Sequence, residues 1–123
     1  MATRVLYVDD EADIREVAVL ALELDQGLEV RTCASALEAI AVAAAWQPAL
    51  ILLDVTMPGM DGPTAFRRLR NQNATTHIPI VFITARTQAH ERAAFDALGA
   101  KGVIAKPFDP MTLARSVREH ISA

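Results

Sequence analysis

The chain has one cysteine, Cys33, in 123 residues. An internal disulfide and a cysteine-based zinc site are therefore excluded, and Cys33 reads as a small buried hydrophobe near a strand end. Long hydrophobic runs are also lacking. The longest, AIAVAAAW at 39–46, falls far short of the ~20 residues needed to cross a bilayer. The N-terminus lacks a signal-peptide layout, because charge arrives at Arg4 and acid at Asp9. Nor is there an excess of positive charge. The net charge of −3 gives no overall footprint for nucleic acid, and the local cluster Arg67, Arg68 and Arg70 reads as one solvated helix face. The three histidines, His77, His90 and His120, are scattered and read as surface residues. No linker or low-complexity segment interrupts the chain. The expectation is a soluble protein in a reducing, cytoplasmic setting, without membrane or direct nucleic-acid contact.

What is present is a folded composition, 52% hydrophobic and 22% charged, with enough chain for one domain and one core. Apolar runs alternate with helical patterns throughout. RVLYV (4–8) is a short strand, followed by Ile14, Val17, Ala18, Ala21 and Leu24 at helical spacing, with Gly27 as a stop. LEVRTC (28–33) alternates like an edge strand. SALE (35–38) is a capping box opening a helix through Leu37, Ile40, Ala41 and Ala44 to Trp46, closed by Pro48. ALILLD (49–54) is a third strand, its four-residue apolar run the mark of coverage on both faces. A helix after Pro63 turns Phe66 and Leu69 inward. IPIVFIT (78–84) is the fourth strand, 88–98 the fourth helix ended by Gly99, and GVIA (102–105) the fifth strand. Asp109 with Pro110 then opens a helix carrying Leu113, Val117 and Ile121. Strict alternation predicts an α/β fold, a (βα)5 doubly wound parallel sheet with helices on both faces and right-handed crossovers.

Such sheets bind ligands beyond the carboxyl ends of their strands. Here the first strand ends in Asp9-Asp10, the third in Asp54, the fourth in Thr84 and the fifth just before Lys106. If the strands are parallel, three carboxylates, a hydroxyl and an ammonium meet on one rim. Two like charges ~4 Å apart cost about 4 kcal/mol at an effective dielectric of ~20, so the cluster requires a cation or a raised pKa. Lys106 can neutralise one carboxylate. An all-oxygen set with no histidine or cysteine at a strand end suits Mg2+ for the rest. Such a site fits phosphoryl chemistry, with Asp54 as nucleophile and a backbone carbonyl near Thr56 turned to the metal. Taken singly, each residue is more often a turn former, a β-former or a solvated charge. It is the conjunction at four strand ends that carries the reading.

YVDDE (7–11), LILLDVTMPGMDG (50–62), FITA (82–85) and AKPF (105–108) stand in the order and spacing of another group of sequences. From Arg4 to about Ile121 the chain resembles the receiver domains of bacterial two-component response regulators, including the single-domain chemotaxis regulator. The resemblance implies a flavodoxin-like receiver fold with strand order 2-1-3-4-5 and a single receiver domain over residues 1–123. It implies that Asp54 accepts a phosphoryl group from a histidine kinase, a phosphotransfer protein or a small acyl phosphate. Asp10, Asp54 and the Thr56 carbonyl would hold Mg2+, with Asp9 acting mostly through water. Lys106 would bind a phosphoryl oxygen, its bond to Pro107 would be cis, and Thr84 would carry the switch toward an unknown downstream protein partner. Position 56 and Arg86 resemble family positions that influence dephosphorylation rate. One departure stands out: Val103 occupies the place of the usual switch aromatic, three residues before the lysine.

Two other readings compete. A phosphohydrolase of the haloacid dehalogenase type also uses an aspartate nucleophile, but needs a second aspartate two residues on, where this chain has Thr56. A receiver-shaped interaction module that is never phosphorylated would lose some of the acidic pair, acceptor, threonine and lysine. All are present, and only Val103 favours it. The fourth helix–fifth strand–fifth helix face, with Arg92, Lys101, Arg115 and Arg118, is either a docking patch or solvated surface. Whether the chain acts alone, as a relay intermediate or within a longer protein is open at this point.

Overall fold

A computed structural model describes residues 2–85 and 89–122. Five strands, β1 (Thr3–Val8), β2 (Leu28–Cys33), β3 (Leu50–Asp54), β4 (Ile80–Thr84) and β5 (Gly102–Ala105), form one sheet in the order β2-β1-β3-β4-β5. Every neighbouring pair is parallel. The helices α1 (Ala12–Leu22), α2 (Ala36–Trp46), α3 (Gly62–Arg70), α4 (Ala89–Leu98) and α5 (Leu113–Ser122) follow the strands in turn. The strands match the sequence expectation within one or two residues, β2 and β5 to the residue.

Period-two side-chain alternation divides the apolar runs between two cores. Leu6, Val8, Ile51, Leu53, Ile80 and Phe82 pack under α2, α3 and α4. Val5, Tyr7, Leu50, Leu52, Val81 and Ile83 pack under α1 and α5. Central strands therefore have no wet face, which is why β3 and β4 are buried from end to end. β2, at the edge, keeps the alternating pattern of a half-wet strand. Among the described residues no helix is long and apolar enough to cross a membrane.

Helix phases and ends differ more from expectation. α1 stops at Leu22, where the Glu23 amide bonds Val19 and the next amides tighten into a turn. Leu24 is thus thrown outward at 63% exposure, while Leu22 takes the core position. In α2 the buried residues are Ala36, Ala39, Ala43 and Trp46, so Leu37 and Ala41 face solvent. Ser35 caps it by accepting from the Glu38 amide at 3.2 Å. Arg67 and Arg68 are exposed, but Arg70 folds back, with its Nη1 on the Ile78 carbonyl at 2.8 Å and its guanidinium 4.7 Å from the Phe66 ring centre. Asp109 caps a turn, accepting from the Met111 amide at 2.9 Å, and α5 proper begins four residues later. Arg118 does not join a free basic face: it forms a two-bond ion pair with Asp25, Nε–Oδ2 at 2.7 Å. His77 is exposed, whereas His120 is half-buried, its Nδ1 at 2.7 Å from the Ser116 carbonyl. Arg86, residue 88 and the side chain of His90 lie outside the described residues.

Candidate functional site

The β1–β3 register pairs Val8 with Leu53, so the next residues, Asp9 and Asp54, leave the sheet level with each other. Asp9 is fully buried and Asp54 is 4% exposed; Asp10, one residue on, is exposed. One carboxylate oxygen from each of the three lies within 4.8 Å of the others. Lys106 reaches across from the end of β5, its Nζ 2.9 Å from Asp9 Oδ2 and 3.4 Å from Asp54 Oδ2. Its backbone amide bonds the Thr84 carbonyl at 2.9 Å, which ties the end of β5 to that of β4. The Lys106–Pro107 bond is cis, as the resemblance implies. A cavity of about 580 Å3 opens here, lined by Asp10, Asp54, Thr56, Thr84 and Lys106, with Ile14, Met57, Pro58 and Phe108 as its apolar walls.

The loop after β3 is built around one glycine. The Gly62 amide bonds the Val55 carbonyl at 2.9 Å. A Cβ at position 62 would sit 2.5 Å from the Asp54 carbonyl and 2.8 Å from Val55 Cα, so only glycine lets the loop close against the end of β3. Asp61 caps α3 through the Thr64 amide at 2.9 Å, and hydrogen bonding from the Thr64 hydroxyl and then from that amide holds its carboxyl below the usual carboxylate range. Within this loop the Thr56 amide approaches Asp54 Oδ1 at 3.4 Å.

Electrostatics follow from crowding. Burial first, then the charge of Asp9, pushes the Asp54 carboxyl up to about 6, against the pull of Lys106 and the Thr56 amide. Burial opposes the charge of Lys106, but its hydrogen bond to Asp9 and the charges of Asp54, Asp9 and Glu11 outweigh it and hold the ammonium above its ordinary value. Two residues not anticipated from sequence complete the cluster. Tyr7 Oη donates to Asp9 Oδ2 at 3.0 Å, and burial together with Asp9 pushes the phenol far up, so it remains a donor. Glu11 gives Lys106 a third carboxylate at 3.4 Å, and its amide donates to Asp9 Oδ1 at 3.0 Å. Tyr7 lies two residues before Asp9 on one strand face, a same-face spacing that could have signalled the contact.

Asp9, Asp10, Asp54, Thr56, Thr84 and Lys106 are thus brought together. Val103 is not among them: it is paired with Phe82 in the sheet and half-buried against the core under α4. Cys33 is buried and free, its thiol pushed up to about 12 by burial and then by Glu38. The oxygen-only donor set, three carboxylates within reach of one point, fits a hard divalent cation of the Mg2+ kind.

A doubly wound five-stranded sheet with an acidic crevice at the carboxyl ends of β1 and β3 defines the class of flavodoxin-like, chemotaxis-regulator folds. A sequence model described as the response regulator receiver domain matches residues 5–118. The chain is 42% identical over 120 residues to the response regulator PleD of Caulobacter vibrioides, covering 96% of this chain and 26% of that protein. It is 39% identical over 109 residues to the phosphate regulon transcriptional regulatory protein PhoB of Pseudomonas aeruginosa, covering 89% and 47%. The chemotaxis response regulator CheY4 of Vibrio cholerae superposes with a TM-score of 0.89 at 34% identity, over 98% of this chain and 99% of that one. The chain belongs to the response regulator receiver domain family. It spans between a quarter and a half of the length of these curated relatives.

Proposed function

We propose that this chain is the phospho-acceptor domain of a two-component phosphorelay, with Asp54 as acceptor. An Asp54 carboxylate oxygen attacks phosphorus; the bond from phosphorus to the donor's imidazole nitrogen breaks, and that nitrogen leaves with the electron pair and is protonated from solvent. The donor is the phosphohistidine of a histidine kinase or phosphotransfer protein, or a small acyl phosphate, in which case a carboxylate leaves. Asp10, Asp54 and the Thr56 carbonyl would hold Mg2+, with Asp9 behind them. The cation supplies charge neutralisation for the incoming phosphoryl oxygens. Lys106 holds the acceptor's neighbours together before transfer and then pairs with a phosphoryl oxygen. Thr84, at the cavity wall, turns its hydroxyl toward the new group and passes the change to β5 and α4. With Val103 in place of a ring, that change is transmitted by aliphatic repacking against Phe82. The chain turns over no external substrate. The setting we infer is cytoplasmic, the domain spans residues 1–123, and the downstream partner is a protein.

The observation that supports this reading is the meeting of a buried Asp54 with Asp9, Asp10 and Lys106 at one crevice. Incubation with acetyl phosphate and Mg2+ should add one phosphoryl mass to the chain and none to Asp54→Asn, with amide shifts at residues 54–57 and 84. Amide shifts serve better than Trp46 fluorescence, because Trp46 bonds Arg4 at the opposite end of the sheet. An unlabelled wild type would leave the domain an interaction module.

A further inference from the structure

Two grooves flank the outer edge of β2, one on each face of the sheet. On the α1 side a groove of about 600 Å3 is walled by Glu16, Val19, Leu20 and Thr32. On the α2 side a groove of about 500 Å3 is walled by Arg4, Arg31, Ala41, Val42, Ala45 and Trp46. Arg31 and Thr32 are consecutive in β2 and point to opposite faces, so the two grooves adjoin across a single unpaired strand edge.

Their chemistry is complementary. The α1 side presents Glu16, Leu20, Glu23 and Leu24 on one stripe, all exposed, with Leu20 at 69%. Arg15, also in this groove, is held by the Asp9 carbonyl at 2.8 Å near the start of α1, away from the end of the stripe where Leu20, Glu23 and Leu24 leave the surface acidic and apolar. The α2 side is cationic and apolar. α2 has one charged residue in eleven, and its solvent face shows Leu37, Ala41 and Ala45. Arg4 is occupied, with Nη1 on the Trp46 carbonyl at 2.6 Å and Nε 3.9 Å from Glu29. Arg31 lies over the Trp46 ring, 4.7 Å from its centre, and pairs with no carboxylate among the described residues. A charge that would guard an edge strand is instead laid flat against a ring and open to an incoming acid.

We propose that a second copy of this chain docks along the β2 edge, seating the Leu20–Glu23 stripe of each copy in the Arg31 groove of the other. A twofold axis parallel to the strands keeps strand direction and exchanges the two faces of the sheet. It therefore sets the α1 side of one copy against the α2 side of its partner, twice, which makes the patch self-complementary. Both helices run the same way along the sheet and the axis keeps heights, so Leu20 and Leu24 leave water against Ala41 and Ala45, and Glu23, at the end of α1, meets Arg31 over Trp46, at the end of α2. Exposed leucines gathered at complementary charge are the mark of an interaction surface rather than of scattered surface apolarity.

Sedimentation equilibrium of the full chain without phosphodonor tests this independently of Asp54 chemistry. The wild type should reach twice the monomer mass by about 1 mM. Arg31→Glu and Glu23→Lys, each checked for an unchanged far-ultraviolet spectrum, should each weaken association at least tenfold, as should Leu20→Asp. Mixing the two charge variants should restore the dimer, because both cross-copy contacts then again join opposite charges; the double variant should also dimerise. A wild type monomeric throughout, single variants that associate like wild type, or a mixture that stays monomeric would each overturn the proposal.

Discussion

At Asp54 the group that makes the site useful also makes it costly to fold. Its carboxyl is raised above the ordinary carboxylate value to about 6 by burial and by Asp9, so ionising it works against the folded state. The sign follows: the cost is absent below the unfolded value near ~4 and is fully present once pH rises past about 6. Asp54→Asn should therefore melt a few degrees higher than wild type at pH 7.5 in EDTA and lose that advantage at pH 4. Adding Mg2+ should reverse the order, because only the wild type keeps the full donor set and gains by mass action. Thermal melts at the two pH values, with and without the ion, check both signs. The acidic trio and Lys106 were legible because parallel strands must end together. Tyr7 and Glu11 were not, because an interior tyrosine looks like core and a first-turn glutamate looks like helix solvation.

Elements were legible in proportion to how far burial alone defines them. β3 and β4 are covered on both faces, so an unbroken apolar run suffices to mark them. The phase of α2 is not legible in its sequence, because alanine serves equally well inside and outside, and its close fit to the sheet uses Ala36, Ala39 and Ala43 rather than Leu37. α1 is shorter than its apolar spacing predicts, because a turn anchored by Asp25, whose carboxylate accepts the Gly27 amide at 2.9 Å, replaces the last turn. That turn also receives Arg118, whose hydrogen bond, followed by that of the Gly27 amide, holds the Asp25 carboxyl below its ordinary value. The stabilisation is thus present above the unfolded value near ~4 and is lost as pH falls through the folded one. Arg118→Ala should lower the melting temperature at pH 7, and the gap from wild type should close as pH falls below ~4. In the loop after β3, Gly62→Ala should cost about 1–3 kcal/mol in urea unfolding, because the Asp54 and Val55 backbone has to move away from the new Cβ. Displacing Asp54 should also slow phosphoryl uptake more than it lowers stability at working temperature.

Across the molecule, burial is graded from the middle of the sheet outward. Residues 5–8, all of β3 and all of β4 are buried, whereas β2 alternates and β5 is only half-buried, ending in exposed Ala105. Opening the centre requires both cores to part; opening β5 requires only that α4 and α5 loosen from one edge. Native-state hydrogen exchange should therefore show amides of 6–8 and 51–54 exchanging only through global unfolding. Those of 103–105 should exchange through a smaller opening, at least tenfold faster. The grading also bears on the proposed signalling: a change at Asp54 passed through Thr84, as proposed, would reach the half-buried edge strand β5 first. Val103→Leu, which fills more of the space beside Phe82, should slow exchange at 103–105 while leaving 51–54 unchanged. Uniform protection across β3 and β5 would show that the edge strand opens only with the core, and would remove β5 as the element through which the acceptor's state is read.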